Sequence, residues 1–341
     1  MSAVCVVRRL ALAALIVGAT RLPAQTPFQF PTANHALYEP GAESKFFAPT
    51  SPDRPWTSGS FGCVRSDGWQ MHEGLDILHL HTDRRGEPTD PVMATADGTV
   101  MYVNTRPGLS NYGKYIVIRH VVEGIEIYSL YAHLSEIAPG VAAGRAVRGG
   151  EVIATMGRTT NTRERILKER AHVHFELDVL VNDRFPEWFR KNMPGERNDH
   201  GVWNGLNLAG LDPREILLAE HDPVHKFSLL NFLRSQTELC RVLVRAKNFS
   251  YLKRYPALVL RNPVAEKEGV AGYEIALNYN AVPFALMPRA ASEIKSPAKI
   301  QLLSVNADEY RAHPCRRLVV QRGSRWELTD RGRREVELII Y

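Results

Sequence analysis

The stretch A-H-V-H-F-E-L-D, residues 171–178, alternates polar and apolar residues with a period of two. That period belongs to a β-strand with one face in a core; in a helix, apolar residues recur every three or four positions. Val173, Phe175 and Leu177 then face inward, while His172, His174 and Glu176 share the opposite face. Side chains two apart on a strand stand about 6.5–7 Å from each other. An ion with bonds to nitrogen of about 2.0–2.1 Å does not easily take both histidines of such a pair. One can be a ligand while its neighbour stands beside the bound water. The remaining ligands must come from elsewhere in the chain.

M-H-E-G-L-D-I-L (71–78) offers His72 and Asp76, an imidazole and a carboxylate four residues apart, with Gly74 between them to permit a tight turn. With His174 they make two imidazoles and one carboxylate, which leaves an open position for water on a tetrahedral zinc. S-L-Y-A-H-L-S (129–135) places His133 at the end of a strand. The surrounding chain is rich in short strands. M-A-T-A-D-G-T-V-M-Y-V-N (93–104) and residues 114–134 alternate, with a hairpin at Glu123-Gly124, and closely spaced glycines punctuate 140–157. In L-D-P-R-E-I-L-L-A-E (211–220), Asp212 reads as a helix N-cap, Pro213 as the first helical residue and Glu215 as the reciprocal cap.

The expected fold class is therefore mainly β. An antiparallel β-sheet or barrel-like unit spans 61–220, preceded by an extended lead-in over 25–60. A linker at 221–225 leads to a strand-rich α+β unit over 226–341. Its expected strands include R-V-L-V-R, A-L-V-L-R (257–261), Y-E-I-A-L, K-I-Q-L-L and E-V-E-L-I-I-Y (335–341), with a hairpin around Gly323.

Composition narrows the setting. With 341 residues, 44% hydrophobic and 23% charged, the chain can build sizeable cores. Arg8 and Arg9 precede an apolar run from Leu10 to Ala19, too short to cross a bilayer, and Ala24 follows. That is the layout of a secretory signal peptide over residues 1–24. No later stretch is apolar enough to be a transmembrane segment, so the mature protein is expected in the periplasm, the cell envelope or outside the cell. A net charge of +6 suits an anionic partner. Export argues against nucleic acid and for an envelope polymer. Of Cys63, Cys240 and Cys315, the last two fall in the C-terminal third and are the expected disulfide, with Cys63 a small buried residue.

Taken in order, H-E-G-L-D, Y-A-H-L-S and H-V-H-F-E resemble the zinc-dependent peptidoglycan endopeptidases of the lysostaphin and LytM type, the M23 peptidases. The intervening D-P-V-M-A-T-A-D-G-T-V, N-Y-G-K-Y-I-V-I-R-H and G-G-E-V-I-A-T-M-G, and the closing L-D-P-R-E-I-L, are similar to that family as well. The resemblance covers roughly residues 61 to 219. By motif position it implies one Zn2+ held by His72, Asp76 and His174, with His133 and His172 as the catalytic pair. The implied activity is hydrolysis of peptide bonds in bacterial peptidoglycan, in cross-links or stem peptides, through a metal-activated water. His172 would be the general base, His133 would orient substrate or stabilise the oxyanion, and Glu176 would orient a histidine.

Two stretches depart from the family pattern. T-T-N-T-R-E-R-I-L-K-E-R-A replaces a short Gly-, Ser- and Thr-rich loop before the H-x-H strand, and should reshape one wall of the groove. A second segment, V-N-D-R-F-P-E-W-F-R-K-N-M-P-G-E-R-N-D-H-G-V-W-N-G, extends the end of the unit. The competing reading is a non-catalytic LytM-like module that binds and activates another wall hydrolase. Such modules typically lose ligands, and this chain keeps all three. A zinc peptidase acting on other peptides is a second alternative. H-L-H (79–81) has the same spacing as the site pair, but if the strand entering at Asp76 continues, His79 and His81 face away. The helical H-E-x-x-H of other zinc proteases also invites comparison. Gly74 and the strand-like I-L-H-L argue against it, and leave Glu73 facing solvent.

Overall fold

Strands dominate because the β-branched alternation is dense. The computed structural model describes residues 28–163 and 165–341; the signal peptide expected over 1–24 lies outside them. A short helix α1 (Glu43–Phe46) precedes β1 (Gly62–Arg65), β2 (Gln70–His72), β3 (Leu75–Leu78), β4 (Pro91–Met93), β5 (Gly98–Asn104) and β6 (Lys114–Val122). Next are β7 (Ile125–Leu134), β8 (Glu136–Ile137), β9 (Ala146–Val147), β10 (Val152–Thr155), β11 (His172–Leu180), α2 (Phe185–Asn192), β12 (Leu208–Leu211) and α3 (Pro213–His221).

The main sheet runs β12-β11-β7-β6-β5-β9, all pairs antiparallel, and β3 shares the β12 edge of β11. It is an open sheet, the first of the two expected forms: the strands do not close on themselves into a barrel. β6 and β7 meet through Glu123 and Gly124, both at positive φ (53° and 78°), as a two-residue hairpin of this hand requires. α3 begins as expected. Pro213 is its first residue, and the Asp212 side chain accepts the Arg214 N–H at 2.8 Å.

β11 is buried at every position because both faces of the sheet are covered. On one face Val173, Phe175 and Leu177 join Ile116, Ile118 and Tyr131 in the main core. On the other, Tyr115, Val117, Tyr128, Leu130, Ala132, Leu180 and Leu208 form a second cluster. The functional side chains lie on this second face. The stretch expected as a lead-in has little regular structure, yet it contributes Phe28, Phe30, Phe46 and Phe47 to the main core. Each such side chain contributes about 1.5–3 kcal/mol through burial.

The remaining chain contains α4 (Leu229–Arg234), β13 (Cys240–Val244), α5 (Ser250–Arg254), α6 (Pro263–Glu268), β14 (Gly272–Leu277), β15 (Pro283–Arg289), β16 (Ile300–Val305), α7 (Ala307–Ala312), β17 (Val319–Arg322), β18 (Arg325–Leu328) and α8 (Asp330–Ile339). Strands β15-β14-β13-β16 form one antiparallel sheet, and β17-β18 the hairpin expected around Gly323. Two expected strands are not strands. At 257–261 a 3-10 turn, Pro256–Leu258, is followed by a single bridge from Val259 to Leu286; Pro256 has no N–H to lead a ladder. E-V-E-L-I-I-Y lies largely in α8. Thr329 caps that helix by accepting the Gly332 N–H at 2.9 Å, and Gly332, Val336 and Ile339 form its buried stripe. Val336 and Ile340 satisfy both periods, Leu338 fits only the strand and Ile339 only the helix, so the cap upstream separates the two readings.

The disulfide also differs from expectation. Cys63 bonds Cys315, and Cys240 is a free, buried residue of β13. Nearness in sequence misled because the 315–317 segment folds back onto the β1–β2 hairpin. There the Arg317 guanidinium stacks over Trp69, and Arg316 lies 3.6 Å from Glu73. No helix among the described residues is long and apolar enough to cross a membrane.

Candidate metal centre and active-site cleft

Register assembles the three candidate ligands. His174 sits directly opposite Asp76 in the β11–β3 pairing, so both side chains emerge on the same face. His72 closes β2, and the turn at Gly74 that follows leads into β3 and Asp76. The ligand atoms form a triangle. His72 Nε2 is 3.1 Å from Asp76 Oδ1 and 3.1 Å from His174 Nδ1, and His174 Nδ1 is 2.9 Å from Asp76 Oδ1. Tetrahedral bonds of about 2.0–2.1 Å place ligand atoms about 3.3 Å apart, so the triangle fits a zinc ion with little adjustment. These are the residues that, among those described, could jointly hold a metal ion.

The outer contacts aim the lone pairs inward. His72 Nδ1 is 2.7 Å from Ser60 O, and His174 Nε2 is 2.6 Å from Glu176 Oε1, so each ring donates its N–H outward and turns its other nitrogen to the centre. Glu176 in turn accepts from the Tyr112 hydroxyl at 2.8 Å. Asp76 uses Oδ1 toward the histidines and Oδ2 toward Arg65 Nη2 at 2.6 Å, which holds it to one inward oxygen. Burial works against the Asp76 carboxylate, but His172, His72 and Arg65 outweigh it and hold its pKa well below the usual range. For His174, burial is overcome by the two flanking carboxylates, which push it up to about 10. The centre thus calls for a positive charge between His174 and Asp76, and a cation there replaces a proton.

His172 and His133 flank this triangle. His172 Nε2 is 3.4 Å from Asp76 Oδ1, and its Nδ1 donates to Arg170 O at 2.6 Å. The His133 ring lies 5.0 Å from that of His172 and 5.9 Å from that of His174, with Nδ1 donating to Thr159 O at 2.9 Å. Burial pushes both pKa values down, to about 4 for His172 and about 3 for His133, so both are neutral at pH 7. Each therefore presents an unprotonated Nε2 to the cleft.

Simple alternation would have sent His133 the wrong way. Ala132 pairs with His174 and lies on the site face, so the next residue should point into the main core. Instead the β6–β7 register slips between Lys114 and Ile116, and His133 adopts φ 61°. This bulge turns the imidazole back to the site, in a conformation that costs a residue with a side chain of order 1–3 kcal/mol. The strain is held by the His133 N–H bond to Tyr112 O (2.9 Å) and by Thr159 N–H bonding His133 O (3.3 Å).

Gly74 has a different role from the expected one. A Cβ there would lie 2.4 Å from Phe175 O and 3.0 Å from Phe175 C, so the residue is small because the turn rides on the β11 backbone. Gly74→Ala should cost about 1–3 kcal/mol of stability and weaken zinc binding, by separating His72 from His174. Thermal melting with zinc titration checks this; an unchanged melting temperature and affinity would refute it.

The five residues open on a cleft of about 440 Å3 whose other walls include Arg65, Tyr112, Thr160, Arg165 and Arg170. Thr160, Thr162, Arg165, Ile166 and Arg170 of the long insert do line one wall, as expected from its length. A larger cavity, about 610 Å3, between Phe61, Asp212, Tyr279 and His313 contains none of the candidate site residues. His79 bonds Ala171 O and His81 approaches Asp90, so neither points into the cleft. Glu73 is one-third exposed at the cleft's edge. Arg65 and Tyr112 were missed from sequence, since an arginine in a short strand and a tyrosine in a loop have no periodic signal.

Residues 70–185 match the profile of Peptidase family M23. No curated protein matches the chain. Among solved structures, a zinc-containing peptidase from Vibrio cholerae is 31% identical over 31% of this chain and 26% of its own, with a TM-score of 0.23. The catalytic domain of the antimicrobial peptidase lysostaphin from Staphylococcus simulans is 24% identical over 35% and 74%, with a TM-score of 0.24. Csd3 from Helicobacter pylori is 24% identical over 39% and 31%, with a TM-score of 0.26. The chain thus spans about a quarter of the Vibrio protein's length and less than a third of the Helicobacter protein's. The segment that matches Peptidase family M23, residues 70–185, is thus the one that carries His72, Asp76 and His174 together with the flanking His133 and His172.

Proposed function

We propose that the protein is an exported, zinc-dependent endopeptidase that hydrolyses peptide bonds of bacterial peptidoglycan. The observation that carries this reading is the convergence of the His72, Asp76 and His174 ligand atoms within 4.8 Å, with two further buried histidines facing the same open cleft. The Cys63–Cys315 disulfide supports export, because such bonds persist in oxidising compartments.

A zinc ion at the triangle supplies a Lewis acid for the scissile carbonyl and brings the pKa of water toward about 7. The protein does the rest. Arg65 and Glu176 lock the ligand orientations from outside. His172, whose Nδ1–H is spent on Arg170 O, offers Nε2 as the acceptor for the proton released when water adds to the carbonyl carbon. The same nitrogen returns that proton to the leaving amine. His133 offers an acceptor too, because Thr159 O takes its other N–H. It can hold a substrate N–H, and it becomes a donor to an oxyanion only after gaining a proton.

The test is digestion of purified peptidoglycan by the mature protein, with mass spectrometry of released fragments and metal analysis. The wild type should release peptide fragments. His172→Ala should keep its zinc and lose activity by about 10²–10⁴-fold. A protein that binds zinc yet releases nothing would instead be a binding module.

A further inference from the structure

The wall built by residues 158–163 and 165–170 carries charges that the chemistry above does not use. Arg165 and Arg170 both line the cleft. Arg170 is half-buried and tied by Nε to Pro49 O, while its carbonyl holds His172; its terminal nitrogens have no partner among the described residues. Arg165 is exposed and makes no ion pair among the described residues. Among the described residues, the other charged groups facing the cleft are committed. Arg65 bonds Asp76, Asp76 is surrounded by histidines, and Glu73 leans toward Arg316 at 3.6 Å. What remains among the described residues is positive, and it stands beside the catalytic pair.

The wall is also held in place. Arg158 grips Glu87 through two bonds, at 2.8 and 2.9 Å, and bonds Ile166 O at 3.2 Å. Lys168 reaches Glu87 at 3.2 Å and Arg85 O at 2.5 Å, and the Ile166 side chain is buried. The guanidinium groups are thus presented from an anchored segment, which lowers the ordering cost of binding.

We propose that Arg165 and Arg170 form an anion subsite that selects peptide substrates with a free carboxylate next to the scissile bond. This rests on the peptidase reading and deepens it by naming the substrate's charge. A planar guanidinium matches a carboxylate with two parallel hydrogen bonds, and a partly desolvated one gains more than an exposed pair does.

The test measures binding of two fluorescent stem peptides to the zinc-loaded His172→Ala protein, which binds without cleaving. One peptide keeps its free α-carboxylates and the other has them converted to amides. Fluorescence anisotropy should show the acidic peptide binding about tenfold or more tightly, with the preference shrinking as salt is added. Arg165→Gln/Arg170→Gln on the same background should bring the ratio near one while affinity for the amidated peptide stays put. If that double variant loses zinc or melts early, Arg165→Gln alone, at an exposed position, should still narrow the ratio. Equal binding of the two peptides, no binding of either, or a ratio unmoved by the substitutions would overturn the subsite. Fragment release by the wild type judges the peptidase reading separately, so the two can fail independently.

Discussion

His174→Ala will lose zinc and peptidase activity together, whereas His172→Ala loses activity alone. The difference follows from where the two imidazoles stand. His174 Nδ1 belongs to the ligand triangle, at 2.9 and 3.1 Å from its two partners. Apparent zinc binding energies of roughly 10–16 kcal/mol shared over four ligands come to about 2.5–4 kcal/mol each. Removing one should weaken affinity by about a hundred- to a thousandfold. Alanine also leaves the Asp76 and Glu176 carboxylates without the ring that separated them, so no spare group can take its place. Glu176→Gln is the milder companion: it keeps the ligand but weakens its orientation, for about a 10–100-fold loss of affinity. Competition with a chromogenic chelator measures both. Unchanged zinc content in His174→Ala would show the ligand set to be wrong.

The second large effect is expected from the disulfide. It closes a loop of 252 residues and ties the C-terminal segment to β1, two residues before Arg65 and across the hairpin from Met71. Its partners β1 and β2 carry Arg65 and His72, and Gly62 pairs directly with His72. Reduction, or Cys315→Ser, should cost roughly 2–5 kcal/mol and lower the melting temperature by about 5–15 °C. It should also weaken zinc binding, because the hairpin then relies on the Arg317–Trp69 stack and the Arg316–Glu73 approach to keep its place. Thermal melts with and without reductant, in excess zinc and in chelator, separate the two consequences. Equal melting under all four conditions would mean that the bond staples nothing.

The alternation at 171–178, the turn at Glu123-Gly124 and the Asp212–Pro213 helix start could each be read locally. Each depends on a few neighbouring residues whose period, φ preference or cap is written in the chain itself. The residue types of the candidate metal centre were readable for the same reason, with the order of three motifs supplying the rest. The C-terminal helix Asp330–Ile339 was misread because Val336 and Ile340 fit two periods equally well.

Tertiary structure alone decided the remainder. His174 meets Asp76 because two strands pair in one register out of several that would bury the same residues. His133 reaches the cleft only through a bulge and a left-handed backbone angle, against its own alternation. Arg65 against Asp76, Tyr112 against Glu176 and Cys63 against Cys315 join residues that no local period relates. Local pattern names the side chains available to a site; long-range register and strain, which are properties of the packed whole, choose which of them meet.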